Sequence, residues 1–228
     1  METEILHLVE GAKKATGVTV IIDVFRAFSL EAVAFANGCE KGVLTATVEE
    51  AFAIKKEHPD WLLFGERDGR KVEGFDYGNA PSAIEKRDLS HKTFIHTTTN
   101  GVQGIVNAVH ATDILTGSFL NAKATVRYIK KLNPEHVSIV AMGWKEGRTE
   151  EDELCGEYLS SLLHDSEMPD MDERIEKLKF QEGKKFFIKE NQEVFPEADF
   201  YICTKKNICD FAIKVEKEGD VYVSKQVR

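Results

Sequence analysis

The 228-residue sequence lacks most of the features that announce a function. It has only four cysteines, Cys39, Cys155, Cys203 and Cys209. They form no CxxC pair and no zinc-type spacing with histidine, so neither a metal finger nor a disulfide scaffold is indicated. No apolar run approaches the roughly 20 residues needed to span a bilayer. The opening stretch "METEILHLVEGAKK" lacks the apolar core of a signal peptide. The expectation is a cytoplasmic protein with reduced, mostly buried thiols and no membrane partner. Basic charge is also in deficit. A formal net charge of −9 argues against a nucleic-acid protein working through a general basic surface. It leaves room for a local basic pocket around a small anion.

The familiar phosphate and nucleophile motifs are missing as well. There is no GxxxxGK[ST] loop, no GxGxxG fingerprint and no GxSxG elbow. The Asp-x-Asp signature of haloacid-dehalogenase-type phosphatases is broken by Phe25, and no cysteine is followed six positions later by arginine.

What is present is alternation. "VTVIID", "KGVLTA", "DWLLFGE", "KTFIHT", "DILTGS" and "HVSIVAMG" read as buried strands, separated by helical patterns. These include "SLEAVAFANG", with Ser29 as cap and Gly38 as stop, and "TVEEAFAIKKEH", capped by Thr47. "FLNAKATVRYIKKLN" ends at Asn133-Pro134, and "TEEDELCGEYLSSLLH" has a strongly acidic first turn. One or two charged helices follow from about Asp170 to Lys189, then short strands near "DFYICTK" and "FAIKVEKEGDVYVS", the last as a hairpin. With no linker or repeat, the pattern predicts one α/β domain over 1–228. Its three α/β/α layers would enclose a largely parallel or mixed sheet with a C-terminal β-hairpin. Parallel strands share one C-terminal edge, where ligands of open α/β sheets bind.

The residues after those strands carry the chemistry. Asp23 and Arg26 follow the first; Glu66, Arg67 and Asp68 follow "WLLFG". Thr97, Thr98, Thr99, Asn100 and Gly101 follow "TFIH", and Trp144, Arg148, Thr149, Glu150, Glu151 and Asp152 follow "VSIVAMG". Clustered carboxylates need a cation, and hard oxygen ligands suit magnesium. Arginines and a hydroxyl-rich helix N-terminus suit phosphate or sulfonate. Taken singly, each has a structural reading: Asp23 as a loop cap, Glu66-Arg67 as a surface ion pair, Glu150 to Asp152 as partners of the helix dipole. His91, His96 and His110 have no evident triad partners, which favours structural roles. Together the residues describe a Mg²⁺-assisted site for a small, multiply anionic substrate.

The stretches "VIIDVFRAFS", "AFANGC", "GERDGRKVEGFDYGNAPSAI", "TTTNGVQG", "GSFLNAKA" and "EDELCGEYL" occur in one order over roughly Val20 to Leu159. In that combination the chain resembles the 2-phosphosulfolactate phosphatase (ComB) family. Phe25, Phe28 and Tyr77 depart from residues common in that family. The resemblance implies Mg²⁺-dependent hydrolysis of (R)-2-phospho-3-sulfolactate to 3-sulfolactate and phosphate, a step that belongs to coenzyme M biosynthesis in methanogens. On that basis Asp23, Glu66, Asp76 and Asp152 are expected to supply the metal ligands. Asp23, Arg26 and Glu66 are the catalytic candidates, Asp23 as nucleophile or general base. Arg26 and Arg67 would bind phosphoryl or sulfonate, the turn from Thr97 to Gly101 the other anionic end, and Asn79 would fix the glycine-rich loop over the substrate. Two other classes stay open: a non-catalytic binder of a small phosphate or sulfonate, and a partner-binding domain using the acidic helices near Asp170 to Glu193. A homodimer is the default for an enzyme of this size.

Overall fold

Strand and helix alternate along the chain much as the hydrophobic pattern requires. The computed structural model describes residues 1–228. The first half runs through β1 (Glu2–His7), α1 (Leu8–Ala12), β2 (Gly17–Ile22), α2 (Ala27–Ala36) and β3 (Lys41–Leu44). It continues through α3 (Val48–Glu57), β4 (Leu62–Arg67), the short β5 (Arg70–Lys71) and β6 (Thr93–Thr97). The second half comprises α4 (Gly101–Asn107), β7 (Ala111–Gly117), α5 (Ala122–Leu132), β8 (His136–Ala141) and α6 (Glu150–Leu163). Then come α7 (Met171–Lys177), a run of 3₁₀ turns between Leu178 and Asn191, α8 (Glu197–Cys203), β9 (Ala212–Glu218) and β10 (Val221–Val227). No helix is long and apolar enough to cross a membrane.

All ten strands form one mixed, mostly parallel sheet in the order β1-β8-β2-β7-β9-β10-β3-β6-β4-β5. Side chains alternate across β2, as the period of a strand demands. Val18, Val20 and Ile22 join a cluster with α5 and α6 residues such as Val126, Leu154 and Leu159. Ile21 packs on the opposite face with Ala12, Val102 and Ile105 of α1 and α4. Both faces are therefore covered, which is why the strand reads as a continuous apolar run.

The C-terminal hairpin does more than end the sheet. β9 pairs antiparallel with β7, and β10 pairs antiparallel with β3. The hairpin is thus wedged between two parallel blocks, β1-β8-β2-β7 and β3-β6-β4, which run in opposite senses. This corrects the expectation of a single shared C-terminal edge. Loops from both blocks nevertheless line one cleft, and sheet twist, roughly 20–25° per strand pair, turns one block relative to the other.

Other departures have local causes. β1 went unrecognised in the sequence because it is a partly exposed edge strand with weak alternation, held by parallel pairing to β8. "DFYICTK", expected as a strand, lies largely in α8. Pro196 precedes that helix, and Asp199, Phe200 and Cys203 share its buried face at helical spacing. Ser29 does not cap α2. It lies inside the helix and donates to the Val24 carbonyl at 2.8 Å, while the Asp23 carboxylate accepts the Ala27 N–H at 3.1 Å. Thr47 does cap α3, in a reciprocal capping box with Glu50.

Ile213 on β9 is fully buried in the cluster joining α2, β6 and β9. Ile213→Ala is expected to cost about 2–5 kcal/mol in urea unfolding. Thr47→Ala, which removes only a cap, is expected to cost about 1 kcal/mol.

Candidate active site

The loops after β2, β4, β6 and β8 converge on a narrow, solvent-open cleft. Its walls include Asp23, Phe25, Arg26, Glu66, Asn79 and Thr99, with Asn100, Trp144, Lys185 and Phe195 closing the rest. A wider cleft adjoins it and shares Arg26, Gly69 and Asn79.

Buried carboxylates hold these loops by accepting backbone N–H groups. Glu66 takes the Thr99 N–H at 2.7 Å on one oxygen and the Gly69 N–H at 2.6 Å on the other, joining the loops after β4 and β6. Asp152, at the start of α6, takes Val24 N–H and Gly143 N–H, each at 2.8 Å, joining the loops after β2 and β8. Desolvation, reinforced by Glu151 and Asp23, pushes the Asp152 carboxyl well above the ordinary range. Asp23 differs from both. Its Oδ1 accepts the Ala27 N–H, while Oδ2 has no protein partner. Gly101 approaches so closely that a Cβ there would lie 2.9 Å from Oδ2. Burial, with a further contribution from Glu66 against the opposing Ala27 N–H, raises Asp23 to about 6.

The positive groups are distributed differently from the sequence expectation. Arg26 lines the cleft, but its guanidinium is occupied. It donates to Asp199 Oδ2 and the Val194 carbonyl at 2.8 Å and to the Gly69 carbonyl at 3.0 Å. With both side chains of that ion pair almost fully buried, the pair is structural. Arg67 donates to the Glu66 carbonyl and to Thr97 Oγ1, and does not line the cleft. Lys185 is the cleft's cation without a close ion-pair partner, and its charge acts on the buried Asp23 and Glu151 carboxylates. Its Nζ sits 5.2–5.8 Å from the ring centres of Trp144, Phe25, Phe186 and Phe195.

The threonine-rich turn divides its roles. Thr97 is buried against Arg67, Thr98 Oγ1 accepts the Val102 N–H at the start of α4, and Thr99 faces the cleft with an unpartnered hydroxyl. Asn100 donates to the Gly143 carbonyl at 2.8 Å, bracing the turn against the loop after β8. Gly101 opens α4 beside Asp23.

With this geometry the sequence comparisons become informative. The family profile described as 2-phosphosulpholactate phosphatase matches residues 4–218. The chain belongs to this family. A relative from Bacillus subtilis (strain 168), named probable 2-phosphosulfolactate phosphatase, is 34% identical over 90% of this chain and 89% of its own. One of the same name from Clostridium acetobutylicum is 37% identical over 83% and 85%. A third, from Carboxydothermus hydrogenoformans, is 39% identical over 72% and 68%.

In this member of the 2-phosphosulpholactate phosphatase family, the four carboxylates expected as a metal cage are not brought together. Asp76 lies outside the Asp23 cleft, accepts the Leu63 N–H at 2.8 Å and faces Lys55 Nζ at 3.6 Å. No three His, Cys, Asp or Glu side chains converge on one point. Asn79 belongs to the glycine-rich loop, reaches the cleft and ties that loop to β6 through His96. Lys185, Phe195 and Asp199 had not been singled out. They lie in a charged, motif-poor segment and enter the site only through packing of the 3₁₀ turns and α8.

Removing Arg26 leaves the fully buried Asp199 carboxylate without its cation. Arg26→Ala is therefore expected to lower stability by about 3–5 kcal/mol in denaturant titration, a structural loss that would precede any effect on ligand binding.

Proposed function

We propose that the protein is a Mg²⁺-dependent phosphatase that hydrolyses 2-phospho-3-sulfolactate to 3-sulfolactate and phosphate. The observation that carries this reading is one carboxylate oxygen, Asp23 Oδ2, left without a protein partner in a cleft that Lys185 also lines. Every relative named above bears the name of this reaction. Pure anion capture would have no use for an open carboxylate beside the bound charge.

The donor set fits Mg²⁺ in a particular mode. Mg²⁺ often takes one or two carboxylates and completes its shell with water and substrate phosphate. Asp23, with Glu66 beside it, fits that mode, whereas a closed protein cage does not form. Bound there, Mg²⁺ would neutralise phosphoryl charge and orient the group.

The remaining chemistry belongs to the chain. Asp23, whose carboxyl burial raises to about 6 in the absence of a bound metal, is the group placed to accept a proton from the attacking water. A bond forms from water oxygen to phosphorus as the ester P–O bond breaks. The water proton passes to Asp23, and the departing alkoxide is protonated from solvent. Lys185 and the Thr99 hydroxyl bind the sulfonate and carboxylate ends, and the surrounding rings strengthen the lysine's field by excluding water.

The test is phosphate release across small phosphorylated hydroxy acids, with and without a sulfonate. Release is expected to be greatest with the sulfonate, to stop with chelator and to return with Mg²⁺. Anion binding without release under Mg²⁺ would establish a binder instead. Asp23→Asn is expected to lower kcat about 10²–10⁴-fold with an unchanged circular dichroism spectrum. Lys185→Met is expected to raise KM roughly 10–100-fold, the equivalent of one charge-assisted hydrogen bond.

A further inference from the structure

Behind the cleft lies a line of three polar side chains that the hydrolytic chemistry does not use. Glu31 on α2 and His96 on β6 are completely buried, and Asn79 is 5% exposed where it meets the cleft. His96 Nδ1 lies 2.9 Å from Glu31 Oε1, and His96 Nε2 lies 3.1 Å from Asn79 Oδ1. The Phe94 ring packs edge-on against the imidazole at 6.2 Å. The second oxygen of Glu31 is buried with no partner at all.

Both imidazole nitrogens face oxygen acceptors. A neutral imidazole has one N–H and would leave one of those contacts lone pair to lone pair. An imidazolium satisfies both. It also gives the buried Glu31 carboxylate the cation it otherwise lacks, since no lysine or arginine pairs with it.

We propose that the buried Glu31–His96 ion pair sets the polarity of the Asn79 amide. With Nε2–H donating to Asn79 Oδ1, the amide cannot turn over. Its NH₂ group, which has no protein partner, is then committed to the cleft as a donor to a substrate oxyanion. A neutral His96 would accept from that NH₂ and leave the carbonyl oxygen facing the anion, reversing attraction into repulsion. His96 and Glu31 are thus positioning residues, and Asn79 is the group that touches substrate. The inference rests on the reading of the cleft as a site for an anionic phosphate ester.

Two measurements test it separately. Nitrogen NMR of histidine-labelled protein at neutral pH, with the His96 signals assigned by their loss in His96→Gln, is expected to show both ring nitrogens protonated. One unprotonated nitrogen would overturn the proposal whatever the enzyme's activity. The second measurement is a double-mutant cycle on kcat/KM for phosphate release. Asn79→Ala and His96→Gln are each expected to lower it about 10–100-fold, chiefly through KM, as loss of one oriented donor does. In the Asn79→Ala background, His96→Gln is expected to change it less than about twofold. Additive losses would overturn the coupling. Should His96→Gln fail to fold, Glu31→Gln replaces it in the cycle, since it removes the charge that holds the imidazolium while keeping shape. If no phosphate ester is hydrolysed, the functional reading fails, and the NMR result alone decides whether the Glu31–His96 ion pair exists.

Discussion

The cost of burying a carboxylate governs this molecule. A desolvated carboxylate survives only with donors or a cation around it. Glu66 and Asp152 meet that requirement with backbone N–H groups from two loops each, and Asp199 meets it with Arg26. In satisfying themselves these groups stitch separate loops into one wall. Asp23 alone among the cleft's aspartates keeps an oxygen without a protein partner. Glu66 and Asp152 thus build the wall in which Asp23 presents its open oxygen.

The hairpin inserted at the middle of the sheet is the second determinant. Placing β9 and β10 between the parallel blocks reverses one block relative to the other. Loops from both blocks nevertheless line a common cleft instead of one sheet edge. The same arrangement brings the C-terminal segment over the cleft, where Lys185 and Phe195 complete a wall begun by Phe25 and Trp144.

Much of this was legible beforehand. Strands β2, β3, β4, β6, β7 and β8, the hairpin and the Thr47 cap follow from period, β-branched content and capping chemistry, which act over a few residues. Asp23, Glu66, Thr99 and Asn100 were found because each follows a recognisable strand. The features hidden from the sequence share a cause. Arg26 and Arg67 were expected as anion receptors; their partners in the fold, Asp199 and Thr97, lie far off in sequence. Asp76 lies in a motif beside the site, yet its carboxylate turns to Leu63 and Lys55. His96 seemed without partners because Glu31 and Asn79 are distant in sequence.

The sequence by itself determined the class of the fold, most of its strands and helices, the family and the kinds of side chain gathered near the strand ends. These depend on local periodicity and on contiguous motifs. Tertiary structure alone decided which of those side chains are already neutralised. That question turns on desolvation and on partners contributed by remote segments, so it is settled only when the chain closes around them. A buried arginine with a carboxylate on it and a lysine ringed by aromatics carry the same formal charge in the sequence; in the folded protein only the lysine has charge to offer a ligand.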